Sequence, residues 1–298
     1  MLGLAEAGFR SADARRHYLA TYDDVRALSP RSDVTHDVPT EFGSFRVYQH
    51  GPDHGVPVVL IHGFFLTSAM WWAQVAGLTS DFTVYAVDML GQPGAGVQSK
   101  SMRTPADSAR SIDAVLAGLG LRGVHLVGHS YGGWLTTHMA ARKPDRLSTV
   151  TLVDPAHTVA RLSARFWRSL LVVMTRPRST QAERAAAWIT GNPSAGSPID
   201  KLSGLFAAGF AAFVPPVHTP PLIFPSDRLL RSVRVPVQVL LAGNTVHDSG
   251  KALQRIRTTM PDWRYHLWSN ASHSLPAEVP DEVNACIRRF AIEHGSHA

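Results

Sequence analysis

The chain has 298 residues, 45% of them apolar and 17% charged, with a formal net charge of +6. That length fits one large α/β domain carrying an insertion, or two ordinary domains, with ample core in either case. The composition excludes a disordered or fibrous chain, and no apolar run approaches bilayer length, so no membrane partner is expected. Of the 29 basic residues only Lys100, Lys143, Lys201 and Lys251 are lysines, leaving 25 arginines. They read as scattered, without a cluster interleaved with aromatics, so no nucleic-acid partner is expected either. Cys286 is the only cysteine, which rules out an internal disulfide and fits a reducing, cytoplasmic compartment. The opening Met1-Leu2-Gly3-Leu4-Ala5-Glu6 lacks the basic, apolar and cleavable progression of a secretory signal.

Residues 9 to 28 alternate apolar and charged positions at helical spacing and end at Ser29-Pro30, which predicts an amphipathic helix. Strand-like runs follow at Val34–Val38, Phe45–Gln49, Val56–Ile61 and Val84–Val87, the last closing on Asp88. A helix is predicted over 105 to 120, then the strand Val124–Val127, a helix to Arg142 and the strand Val150–Val153. Strands alternating with helices mean a mostly parallel sheet covered on both faces. The rhythm breaks near Pro155. Residues 156 to 230 hold apolar helical segments rich in Phe and Trp, with Pro215-Pro216 as a breaker, and read as an inserted helical lid over an apolar pocket. The sheet resumes with Val237–Leu241, a helix from about Asp248 to Thr259, the strand Arg264–Trp268 and a last helix over 279 to 293. The predicted organisation is therefore a core over 1–155 and 231–298 interrupted by a lid over 156–230.

The chemistry is carried by Gly128-His129-Ser130-Tyr131-Gly132, placed between a strand and a helix. Gly-x-Ser-x-Gly in that context is the nucleophile elbow, a turn so tight that its flanking residues must be nearly free of side chain. Ser130 needs a base to take its proton. Of fifteen histidines, His273 fits best, because Ser272-His273-Ser274 lies between the last strand and the last helix, over the sheet end that carries the elbow. His129 points away from the serine oxygen, His125 reads as core, and His138 as a packed helix residue. A developing oxyanion needs fixed N–H donors, for which the candidates are the peptide groups of Tyr131 and of Phe64 in His62-Gly63-Phe64-Phe65. His62 is expected to bond within its loop, and Asp88 to tie the Gly-rich turn over 88 to 96. No residue spacing suggests a metal, and no cofactor is expected.

His62-Gly63, Asp88 with Gly91, Gly94 and Gly96, the elbow, and His273 followed by Glu278-x-Pro280 together resemble the α/β-hydrolase superfamily across the chain. The N-terminal helix, Tyr131-Gly132-Gly133-Trp134, Asp154-Pro155-Ala156 and Val235-Pro236 look like its lidded carboxylesterase-type branch. The resemblance implies an eight-stranded sheet, the chain order serine, acid, histidine, and ester or acyl chemistry on an apolar small-molecule substrate. It also implies an acid three residues after the glycine ending the penultimate strand, and counting from Gly243 lands on Val246. Two carboxylates are candidates instead. Asp154 ends the strand before the insert, a position from which some α/β-hydrolases supply their acid, and it comes first. Asp248 lies in the loop the resemblance points to, two residues late, and doubles as a helix N-cap. A site with no acid is the third option.

Cofactor-free serine hydrolysis through an acyl-enzyme is the leading reading. Acyl transfer, cyclisation or a lyase reaction in a biosynthetic pathway, and non-catalytic binding on the same scaffold, stay open beside it. The oligomeric state is not legible in the sequence.

Overall fold

The computed structural model describes residues 8–177, 179–214 and 219–295. The opening hexapeptide and Pro215-Pro216 fall outside them. Among the described residues nine strands form one sheet: β1 (Val34–Thr40), β2 (Gly43–His50), β3 (Val56–Ile61), β4 (Phe82–Asp88), β5 (Val97–Gln98), β6 (Val124–His129), β7 (Leu147–Val153), β8 (Val237–Asn244) and β9 (Arg264–Ser272). Their order is β1-β2-β4-β3-β6-β7-β8-β9, with β5 beside β2. The eight strands expected are thus joined by a ninth of two residues, too short to show an alternation in sequence. β2 pairs antiparallel with β1, β4 and β5, and every pairing from β4 to β9 is parallel.

The central parallel strands are apolar because helices cover both faces, whereas the edge strand β9 is largely exposed. Val58, Val59 and Leu60 of β3 and Leu126 and Val127 of β6 are wholly buried, each side chain adding about 1.5–3 kcal/mol relative to exposure. α1 (Ala12–Arg26) begins at Ser11, whose hydroxyl accepts from Ala14 N–H. α3 (Pro105–Gly118) follows α2 (Trp72–Leu78) and starts with a reciprocal capping box between Thr104 and Asp107. α4 (Tyr131–Arg142) leaves the elbow and buries nearly its whole surface.

Between β7 and β8 come four helices and no named strand among the described residues: α5 (Ala164–Thr175), α6 (Thr180–Ile189), α7 (Pro198–Ala212) and α8 (Asp227–Arg231). α1 packs against α7, and the chain before α1 is strapped on by Arg10 N–H to Ala212 O and Val214 N–H to Gly8 O. Phe9 meets Phe213 edge to face at 5.1 Å. α9 (Ser249–Thr259), the short α10 (Leu275–Glu278) and α11 (Pro280–His294) complete the chain. No described helix is long and apolar enough to cross a membrane.

Candidate active site

β3, β6, β7 and β9 all end at the same edge of the sheet, where ligands sit in open α/β folds. Ser130 follows β6 with φ 54° and ψ −117°, outside the comfortable regions for a residue with a side chain. The turn is enforced by close approach: a Cβ on Gly128 would strike Gly132 O and Thr136 Oγ1, and one on Gly132 would strike Ile61 O. The strand after it clamps the elbow from the other side, since Ser130 N–H donates to Val153 O at 3.0 Å and Ala156 N–H to Ser130 O at 3.0 Å.

His273 Nε2 lies 2.8 Å from Ser130 Oγ. Its Nδ1 lies 2.5 Å from Asp154 Oδ2. The histidine comes from the loop after β9, which is held at several points. His129 Nε2 is 2.8 Å from His273 O, Ser274 Oγ donates to Thr190 O at 2.7 Å, and Ser272 N–H and Oγ both bond the Glu278 carboxylate. With Nε2 donating to a carbonyl, the other nitrogen of His129 carries no proton. Burial above all, then the neighbouring His273, holds its pKa down to about 3, so the ring is neutral.

Asp154 directly follows β7 at φ 42° and is completely buried. Its Oδ1 accepts from Ala242 N–H at 3.1 Å and its Oδ2 from the Thr245 hydroxyl, whose oxygen also stands 3.2 Å from His273 Nδ1. His247 Nε2 is 3.2 Å from Asp154 Oδ1, within ion-pair range but off the line of a directed hydrogen bond. Burial by itself would raise the Asp154 carboxyl; the His247 and His273 imidazoles outweigh it and hold the group well below the ordinary carboxylate range. Asp154 is thus an anion with its charge shared between two imidazoles.

Asp248 stands elsewhere. Its Oδ1 caps α9 by accepting from Lys251 N–H at 3.0 Å, its side chain is half-exposed, and no contact joins it to His273. Val246 is buried among Ala156 and Leu162, an apolar residue in an apolar cluster. Thr245 and His247 were not singled out from the sequence. The absence of a carboxylate in Gly243-Asn244-Thr245-Val246-His247, beside an Asp ending β7, was the available hint.

The loop after β3 adjoins the elbow: a Cβ on Gly63 would stand 3.3 Å from Ser130 Cβ. His62 bonds Gly63 O through Nδ1 at 2.8 Å and accepts Met89 N–H on Nε2 at 3.0 Å, which pins the loop to the end of β4 with a neutral ring. Phe65 N–H donates to Gln92 Oε1 at 2.8 Å. The N–H groups of Phe64 and Tyr131 have no acceptor among the described residues. Asp88 takes Ser68 N–H, Ala95 N–H and the Tyr22 hydroxyl, and His125 meets Thr149 in the core. His138 is buried against Trp134 with Arg142 on its Nδ1.

Above Ser130 the insert encloses a cavity of about 40 Å³, room for a few waters. Phe64, Leu66, Phe166, Leu170, Leu202 and Phe206 line it, and among the described residues no acidic or basic side chain other than the histidines does. Among the described residues no cluster of metal-ligating groups occurs.

Residues 58–286 match the model of the alpha/beta hydrolase family. The chain is 30% identical over 278 residues to the uncharacterized carboxylesterase nap of Bacillus subtilis (strain 168), covering 92% of this chain and 91% of the relative. It is 28% identical over 289 residues to carboxylesterase YbfK of the same organism, covering 95% and 96%. The crystal structure of naproxen esterase from Bacillus subtilis superposes with a TM-score of 0.85 at 29% identity, covering 94% of this chain and 98% of that one. On sequence, sheet order and elbow alike, this chain belongs to the alpha/beta hydrolase family.

Proposed function

We propose that the protein is a cofactor-free serine carboxylesterase whose nucleophile is Ser130. The observation that carries this reading is the unbroken contact line from Asp154 through His273 to Ser130 Oγ. The similarity to carboxylesterases over nearly the full length of both chains supports it. An ionised Asp154 fixes a proton on His273 Nδ1, which leaves the Nε2 lone pair facing the serine hydroxyl. His273 takes the proton as Ser130 Oγ bonds the ester carbon. The N–H groups of Tyr131 and Phe64 hold the oxyanion, because they are fixed and unspent. The imidazolium then protonates the departing alkoxide, and a water activated by His273 releases the acid.

Residues 156–230 act as a lid in this reading. The lining of the cavity selects an apolar acyl or alcohol group, and burying it displaces water rather than any charge. The space is too small for a sizeable acyl chain, so Phe166, Leu170 and Phe206 swing or shift when substrate enters. Thr245 and His247 are positioning residues: they hold the carboxylate that orients the imidazole. The free, half-buried Cys286 supports a reducing compartment such as the cytoplasm.

An active-site fluorophosphonate followed by peptide mass spectrometry tests the nucleophile. The expected adduct lies on Ser130 and is absent in Ser130→Ala, with hydrolysis of p-nitrophenyl esters falling about a million-fold, as in serine proteases. A folded protein that takes no label leaves non-catalytic binding. Turnover surviving Ser130→Ala points to His273 acting alone as a base.

A further inference from the structure

The first helix of the insert carries an apolar arc wider than the cavity it covers. Phe166 and Leu170 look down on the Ser130 cavity and Val173 is buried. Beside that face, on the outward edge of the same apolar arc, Trp167, Leu171 and Met174 fall one turn apart and are 43%, 61% and 36% exposed. Single exposed apolar residues are ordinary, but a stripe along one helix asks what covers it. The neighbouring charges answer. Arg161, Arg165, Arg168 and Arg176 are all exposed, and the sequence from Pro155 to Ala182 contains no Asp or Glu. None of the four has an acidic partner among the described residues. Arg165 and Arg161 are held by ring contacts with Trp188 (4.3 Å) and Phe224 (4.5 Å), while Arg168 and Arg176 project without one. Arginines that read as scattered along the chain are, around α5, gathered on the surface of one element.

We propose that α5 docks the enzyme on an anionic lipid surface. Trp167, Leu171 and Met174 enter the boundary between headgroups and acyl chains, and the arginines meet the lipid phosphates. A basic helix with an aromatic and aliphatic stripe has the make-up of one that lies in such an interface. Charge opposes the simplest rival: a two-fold dimer through the same face would bring two sets of arginines together with no acidic residue of that segment between them. The absence of a spanning segment is no objection, since a helix lying in the surface needs none. Docking would leave the mouth of the Ser130 cavity beneath the helix that touches lipid, so an apolar ester dissolved there would have a short path to the serine.

The test uses the full chain as Ser130→Ala, so that it reads binding whether or not the esterase reading holds. It is mixed with vesicles of phosphatidylcholine alone, or of phosphatidylcholine with phosphatidylglycerol, at low and high salt. The expected result is co-sedimentation with the anionic vesicles only, lost at high salt. Tryptophan quenching by brominated phosphatidylglycerol should appear and should vanish in Trp167→Phe. Arg168→Gln/Arg176→Gln should weaken vesicle binding by roughly twentyfold, about fivefold per charge. Trp167→Ser/Leu171→Ser should weaken it as well. In the Ser130 background both double variants should hydrolyse a short soluble ester at the parental rate. No co-sedimentation, equal binding to neutral vesicles, or variants that bind as well as the parent would each overturn the proposal. A concentration-dependent dimer abolished by Trp167→Ser/Leu171→Ser would overturn it too, in favour of a second copy.

Discussion

Thr245 Oγ1 stands 3.2 Å from His273 Nδ1 and donates to the Asp154 carboxylate that the same nitrogen faces. A side chain from the loop after β8 therefore already reaches the back of the imidazole, although the carboxylate there comes from the end of β7. Two strand ends face the back of the imidazole, and this chain places a carboxylate there from one and a hydroxyl from the other.

Exchanging the two tests that relationship. Asp154→Asn should lower kcat by about ten-thousand-fold, the cost of losing the orienting carboxylate in a serine protease. Adding Thr245→Asp to that variant should restore part of the loss, because it returns an anion within reach of Nδ1. Steady-state kinetics on one p-nitrophenyl ester decides it. No recovery in a folded double variant would mean that the hydroxyl's position is unsuited to a carboxylate.

His247 presses on the other oxygen of Asp154, with both side chains wholly buried. His247→Leu should cut kcat by about tenfold to a hundredfold with KM nearly constant, reflecting the loss of one interaction with a charged group. His247→Gln, which keeps a donor of similar size, should recover most of it. An effect confined to melting temperature, with kcat intact, would reduce His247 to a packing residue.

Asp248 caps α9 and is joined to nothing in the site. Asp248→Ala should cost about 1 kcal/mol of stability and lower Tm by roughly 2–4 °C for a chain of this size. Its kcat/KM should stay within about twofold of the parent. A several-hundredfold loss of turnover would return Asp248 to the active site.

Three buried histidines set an acid limit. Burial, first of all, pushes His125 down to about 4 and His129 and His138 down to about 3, with positive neighbours adding to it. Unfolded, each takes up a proton near pH 6.5, whereas folded it does not until pH 4 to 3. The unfolded state binds more protons across that window, so stability is full above pH 6.5 and falls as pH drops towards 3. The slope is about 1.4 kcal/mol per pH unit for each histidine that stays neutral. Melting curves between pH 7 and pH 4 should show this fall, and His138→Leu should flatten it by one proton.

Much of the fold was written in local pattern. Val58–Ile61 is an unbroken apolar run because it is buried on both faces, β6 is apolar there but for the buried His125, and turn residues punctuate the helices between them. β5 was not legible, because two residues carry no period; only their pairing with Ser44 and Gly43 makes them a strand. α10 is a single turn set by packing beside His273 rather than by any apolar repeat.

At the site, the elbow could be read from its pentapeptide, since the two glycines that the turn requires stand two residues either side of Ser130. His273 could be read from its place between the last strand and the last helix. The sequence left two carboxylates, Asp154 slightly ahead of Asp248, one at the end of a strand and one in the loop after the next, each with a plausible structural use. Which of them meets the imidazole depends on how β7, β8 and β9 lie side by side, and on Thr245 and His247 closing over one and not the other. Backbone turns are chosen by residues that touch along the chain, so sequence determines them. The pairing of an acid with a base 119 positions away is chosen by the register of three strands, and that exists only once the sheet has formed.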